Sequence, residues 1–191
     1  MLTPNSNFKK RLWVADNFYG DPGGIIDFAW KQEYVNIKIN DGEPEPYSQQ
    51  QFLLPGIKDA FENIIGSRIV KWEISPLNGR FHINYTKHKP VILSQDYNYG
   101  GIIFLTHQLY HYNDGFNLLV HKETKNRYRL DSLDQNSMND LSQFQAEESI
   151  SYYINRLVLF DARQFHSIPY YFGEQTGEGW DGFLTQVFYF D

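Results

Sequence analysis

"NRLVLFDARQFHSI", residues 155–168, sets a dense apolar run beside a lone imidazole. Leu157-Val158-Leu159-Phe160 reads as a buried strand, a short continuous apolar run with polar residues at both ends. His166 follows just past it. The imidazole either closes that strand or is there to hold something.

The same grammar repeats outward from this stretch. Downstream, "GFLTQVFYF" (182–190) is apolar on both alternating faces, as a strand buried on both sides would be. Upstream come "RIVKWEI", "GRFHINYTK", "VILS", "YGGIIFLT", "GFNLLVHK" and "RYRLDSL", and "SIPYYF" lies between the two C-terminal runs. Turn residues separate most of them. Many short strands in succession predict a sandwich or barrel. The chain before residue 67 reads differently. "RLWVADNF" is a first strand. "GDPGGIIDFAWKQ" opens a helix, with Asp21 as N-cap and Pro22 at the first helical position. "EYVNIKIN" alternates with period two. "DGEPEPYSQQQ" reads as turn and loop, because Gly42 and two prolines oppose regular structure. "PGIKDAFENIIG" fits a second helix, with Ile57, Ala60, Phe61, Ile64 and Ile65 on one face and Gly66 as its stop. The expected fold is mainly β (α+β), a jelly roll with two N-terminal helices buttressing one sheet.

Composition agrees. The 191 residues suit a single domain spanning 1–191, with 1–66 as support and 67–191 as core. The chain holds 15 Phe, 14 Tyr and 4 Trp, residue types that favour strands. With no Cys, disulfides, thiolate metal sites and cysteine nucleophiles are all excluded. No apolar run approaches the ~20 residues that span a bilayer. The N-terminus lacks the apolar core of a signal peptide. A soluble cytoplasmic protein is therefore expected, with no membrane partner. A net charge of -6 argues against nucleic-acid binding. Residues 131–150 carry five carboxylates and no Lys or Arg, and read as a solvated loop running into a helix.

The order of the runs "NGRFHINYTKHKPVILSQDYNYGGIIFLT", "NDGFNLLVHKETKN", "NRLVLFDARQFHSIPYYFG" and "GFLTQVFYF" resembles the core of the iron(II)- and 2-oxoglutarate-dependent oxygenases. It is most similar to their small prolyl-hydroxylase-like branch of bacteria and phages. "VADNFYGDPGGIIDFAW" and "LLPGIKDAF" resemble that branch's N-terminal part. The resemblance implies a double-stranded β-helix, a cupin-like jelly roll, with Fe(II) and 2-oxoglutarate as cofactors. It also implies an iron held by a His-x-Asp pair and a distant His. Two imidazoles and a carboxylate leave coordination positions open for a 2-oxo acid and oxygen. A basic residue on the last strand would pair with the far carboxylate of 2-oxoglutarate.

Carried onto this chain, the metal positions fall on Asp96 and His166, but Ser94 stands where the first His belongs. The basic position falls on Phe183, and no Lys or Arg follows Arg163. A neutral hydroxyl is a poor iron ligand. Burying an unpaired carboxylate costs roughly several kcal/mol. His82 and His88 are the candidate substitute ligands. His82 alternates with Phe81 and Ile83 and so faces away from them; its ordinary reading is a hydrogen-bonding pocket histidine. His107 and His111 have i,i+4 spacing but sit in a loop, and His121 reads as an exposed strand end. Arg163 is the candidate substitute for the cosubstrate anchor, against its ordinary reading as a turn Arg paired with an Asp. Lys87 and Lys89 read as solvated. Tyr170, Tyr171, Phe172 and Trp180 read as core or pocket mouth.

Two functions follow. One is an iron hydroxylase acting on a small molecule or peptide. The other is a catalytically inactive pseudo-oxygenase serving as a binding module, partner subunit or virion assembly component, with a protein partner or as a homo-oligomer.

Overall fold

The computed structural model describes residues 12–39, 43–85, 92–106, 115–128, 140–168 and 182–191. The elements run β1 (Leu12–Ala15), α1 (Pro22–Trp30), β2 (Tyr34–Ile37), β3 (Glu45–Ser48), α2 (Ile57–Ile65), β4 (Arg80–Asn84) and β5 (Tyr99–Phe104). They continue with β6 (Phe116–His121), β7 (Phe144–Ile150), β8 (Leu157–Phe160), β9 (His166–Ser167) and β10 (Phe183–Phe190). Among the described residues the protein is mainly β, with two α-helices and two antiparallel sheets. The larger sheet has the order β1-β8-β5-β10-β4-β3-β2 and the smaller β7-β6-β9. An isolated bridge from Leu93 to His166 extends the smaller sheet beyond β9. Among the described residues, no helix is long and apolar enough to cross a membrane.

Both helices form where the local chemistry places them. Asp21 accepts a hydrogen bond from the Gly24 amide at the start of α1, with Pro22 following as a residue that has no amide to satisfy. Gly66 ends α2 in a left-handed conformation, φ 71°. Ile57 and Phe61 are buried, and Ile64 and Ile65 pack against the same cluster. That cluster joins α1 and α2 to Phe81 and Ile83 of β4, Ile103 of β5, Leu157 and Leu159 of β8, and Leu184, Phe188 and Phe190 of β10. The helices thus cover the outer face of the larger sheet.

A second cluster lies between the sheets. It joins Phe116 and Leu118 of β6 to Ile102 and Phe104 of β5, Val158 and Phe160 of β8, and Phe183, Val187 and Tyr189 of β10. β10 belongs to both clusters, and all eight of its residues are buried. Strand alternation sends one set of side chains to the helices and the other between the sheets. Gly100 of β5 allows a close approach here. A Cβ at that position would sit 2.5 Å from the Phe160 ring.

Several expectations from the sequence need correction. Residues 45–48 form β3 despite Pro46. β3 registers with β4 only at Tyr47↔His82, so a missing amide donor in this short strand near the sheet edge is tolerated. Residues 144–150 form strand β7, not a helix. Glu147 and Glu148 have weak β propensity, but pairing with β6 from Phe116↔Ile150 to His121↔Phe144 decides the conformation. β7 lies at a sheet edge, where charge is well placed. Residues 68–74 form no strand. Their chain is tied to the C-terminus, with the Val70 and Lys71 amides donating to the Asp191 carbonyl. Among the described residues of "VILS" (92–94) only Leu93 bridges, and in "RYRLDSL" only Tyr128, with residues 129–133 outside the described residues. Of "SIPYYF", residues 169–172 also lie outside them, as do His88, His107, His111, Lys87, Lys89 and Trp180. His121 is not exposed: it is buried edge-on against Phe144, and its Nδ1 meets Thr124.

Candidate functional site: a cavity between the sheets

One end of the inter-sheet layer opens into a cavity. From the larger sheet it is lined by Glu45 and Tyr47 of β3, His82 of β4, Ile102 of β5, and Val187 and Tyr189 of β10. Leu93, His166 and Ile168 line it from the smaller sheet, and Ile39 and Glu43 from the link between β2 and β3. Its volume is about 40 Å³. A water centre needs roughly 10–15 Å³, so about three waters fit.

His166 is placed by β9, whose neighbours are β6 and the Leu93 segment. Its ring is 1% exposed and packs against Phe160 and Phe116, at centroid distances of 4.6 and 5.9 Å. Nδ1 lies 2.8 Å from the Gln164 carbonyl, an acceptor, so Nδ1 carries the hydrogen. Nε2 is then a bare lone pair. Among the described residues it has no hydrogen-bond partner. Burial pushes the imidazole pKa down to about 4, keeping it neutral at ordinary pH.

His82 is placed by alternation along β4: Phe81 and Ile83 go to the helix side and His82 to the cavity. Its ring stacks on Tyr47 with centroids 4.0 Å apart and planes 1° apart. Nδ1 lies 3.3 Å from the Asn84 amide nitrogen. Nε2 lies 2.9 Å from Glu45 Oε2, yet the alignment is too poor for an N–H hydrogen bond. The two groups thus sit within ion-pair distance without a directed hydrogen bond. Tyr189 closes the cavity from β10. Burial, with the Glu45 carboxylate nearby, raises its phenol above the ordinary value.

The other sequence candidates are placed as follows. The Ser94–Asp96 segment runs beside the one leading to His166: Leu93 bridges His166, and the Gln95 amide donates to the Ala162 carbonyl at 2.8 Å. Ser94 Oγ donates to the Arg163 carbonyl at 2.6 Å. Asp96 is exposed, and neither it nor Ser94 is among the residues lining the cavity. Phe183 faces between the sheets, packed against Phe104 and Tyr152. Arg163 grips the buried Asp161 with two nitrogens, Nε at 3.0 Å and Nη2 at 3.2 Å. Among the described residues, no group of three or more His, Asp or Glu side chains is arranged to hold a metal ion.

Sequence reasoning missed Glu45 and Tyr47, because their stretch reads as a loop. The available signal was Asp41-Gly42 after the alternating run "EYVNIKIN", a combination that marks a hairpin and so a returning strand.

No protein-family model and no curated protein matches the chain. Solved structures do. AviO1 from Streptomyces viridochromogenes Tue57 superposes with a TM-score of 0.50 at 9% identity, covering 96% of this chain and 91% of that one. SnoN, a non-heme alpha-ketoglutarate-dependent epimerase from nogalamycin biosynthesis, superposes with a TM-score of 0.56 at 11% identity, covering 97% and 81%. At such identities the likeness is one of architecture: the chain shares the fold of these two proteins.

Proposed function

We propose that this chain is a pseudo-oxygenase, a single domain that keeps the double-stranded β-helix and uses its inter-sheet cavity to bind rather than to oxidise. The strand order supports that reading of the scaffold. β4-β10-β5-β8 are neighbours in one sheet, and Leu93, β9, β6 and β7 follow one another in the other. The antiparallel crossings alternate between sheets as in a jelly roll.

One observation carries the functional reading: the described cavity wall presents acceptors and no Lys or Arg. 2-Oxoglutarate is a dianion. The inward positions of β10 are Phe183, Thr185, Val187 and Tyr189, none of them cationic. Arg163 already holds Asp161. Glu45 and Glu43 would repel a dianion rather than pair with it. The iron set fits no better among the described residues. Ser94 is hydrogen-bonded to backbone, and Asp96 is exposed outside the cavity lining. Of the three positions the resemblance assigns to the metal, only His166 presents a lone pair to the cavity.

That lone pair is the observation favouring the second reading, an iron hydroxylase of the prolyl-hydroxylase-like branch with Asp96 and His166 as ligands. Ligating histidines commonly have their second nitrogen bonded to a carbonyl, as His166 Nδ1 is to Gln164.

Anaerobic addition of iron(II) and 2-oxoglutarate separates the two. The pseudo-oxygenase reading expects no visible charge-transfer band from the parent protein. A band in the parent contradicts it.

A further inference from the structure

We propose that the cavity is a receptor for a primary ammonium group, borne either by a small alkylamine or by a lysine side chain. This rests on the binding-module reading and specifies its ligand.

The cavity's donors and acceptors select the occupant. His166 Nε2 is buried, unpartnered and an acceptor, because the Gln164 carbonyl fixes the hydrogen on Nδ1. A buried acceptor without a donor is unfavourable, so the occupant that repairs it must bring an N–H or O–H. Glu45 is the second acceptor. A carboxylate offers about four lone-pair sites, and its contact with His82 is not a directed bond, so capacity remains. Glu43 adds a further carboxylate at the exposed rim. Among the described lining residues there is no Lys or Arg to pair with these carboxylates; the His82 ring alone lies against Glu45. The remaining lining is Ile39, Leu93, Ile102, Ile168 and Val187 with Tyr47 and Tyr189. Such a wall suits a short alkyl chain. A primary ammonium brings a positive charge and three N–H donors, more than the two acceptors need. A hydroxyl matches only one. A quaternary ammonium matches none, and a carboxylate is repelled. The small volume admits a head group and a few carbons, not a large ligand.

Calorimetric titration of the full chain with propylammonium, propanol, tetramethylammonium and propionate tests this directly. The expected result is binding of propylammonium with a Kd of about 1 mM or tighter. The other three should bind at least about tenfold more weakly, since they lack the charge-assisted donor. An Nα-acetyl-lysine amide arm distinguishes the sources. Binding of both ammonium probes supports the lysine-bearing source, and binding of propylammonium alone supports the small amine. Glu45→Gln keeps the shape and should weaken propylammonium roughly tenfold, and His166→Phe should do the same. Equal binding of propylammonium and propanol overturns the proposal, and so does no binding of either ammonium probe. Such a failure leaves the pseudo-oxygenase reading intact unless 2-oxoglutarate with iron(II) binds instead, in which case both fall.

Discussion

The two faces of β10 are built on opposite principles. Toward the helices, Leu184, Phe188 and Phe190 enter a dry aromatic cluster centred on Phe61, which packs against Phe18, Trp72, Phe188 and Phe190. The polar intruder on that face, Gln186, is fully spent. Its amide donates to the Phe52 and Gly79 carbonyls, and its oxygen accepts from Tyr19. Toward the other sheet, Val187 and Tyr189 border a cavity where two imidazole nitrogens have no hydrogen-bond partner among the described residues. One face has converted all its polar capacity into stability. The other holds some in reserve, and reserve capacity in a cavity is what a ligand uses.

The comparison breaks if the helix side proves dispensable. Phe61→Ala should cost about 3–5 kcal/mol, read by denaturant unfolding, because it empties the centre of the aromatic cluster. A loss under 1 kcal/mol would mean that the helices are ornaments on the sheet.

The cavity side should reveal itself through pH. His166 has a folded pKa of about 4 against an ordinary 6.5. Between those values the unfolded chain binds the extra proton, so stability present above pH 6.5 is lost as pH falls toward 4. The loss from this group is about 3 kcal/mol. His166→Gln should flatten the profile by that amount over the same window, and an unchanged slope would contradict the buried neutral imidazole.

A smaller effect joins the two. Gly100→Ala drives a Cβ into Phe160, whose ring contacts His166. It should cost about 1–3 kcal/mol and perturb the His166 resonances. The smallest effect sharpens the contrast most. Glu45→Gln should change stability by no more than about 1 kcal/mol, since its contact with His82 is not a directed bond. A larger loss would make Glu45 a structural residue.

Much of this architecture was legible. Asp21-Pro22 and Gly66 announced both helices through capping chemistry, which is local. Phe183–Phe190 announced a strand buried on two sides because apolar residues occupied both alternating faces. β7 was not legible, since its conformation is imposed by β6 across the sheet and not by its own Glu-rich sequence. The cavity was half legible. His166 and His82 were singled out by residue type and alternation. Glu45 was hidden behind prolines, and its meeting with His82 depends on the Tyr47↔His82 register, which no local pattern encodes. The grip of Arg163 on Asp161 was foreseeable, because an Arg two residues after an Asp in a turn readily pairs with it.

The central claim is that His166 is a neutral acceptor waiting for a donor and not an iron ligand. Nitrogen-15 NMR of histidine-labelled protein tests it most directly. The account predicts an Nδ1-protonated, Nε2-bare ring whose Nε2 signal shifts on adding propylammonium and stays unchanged with iron(II) and 2-oxoglutarate under anaerobic conditions. A signal indifferent to propylammonium, yet broadened away by iron(II) with 2-oxoglutarate, would contradict it.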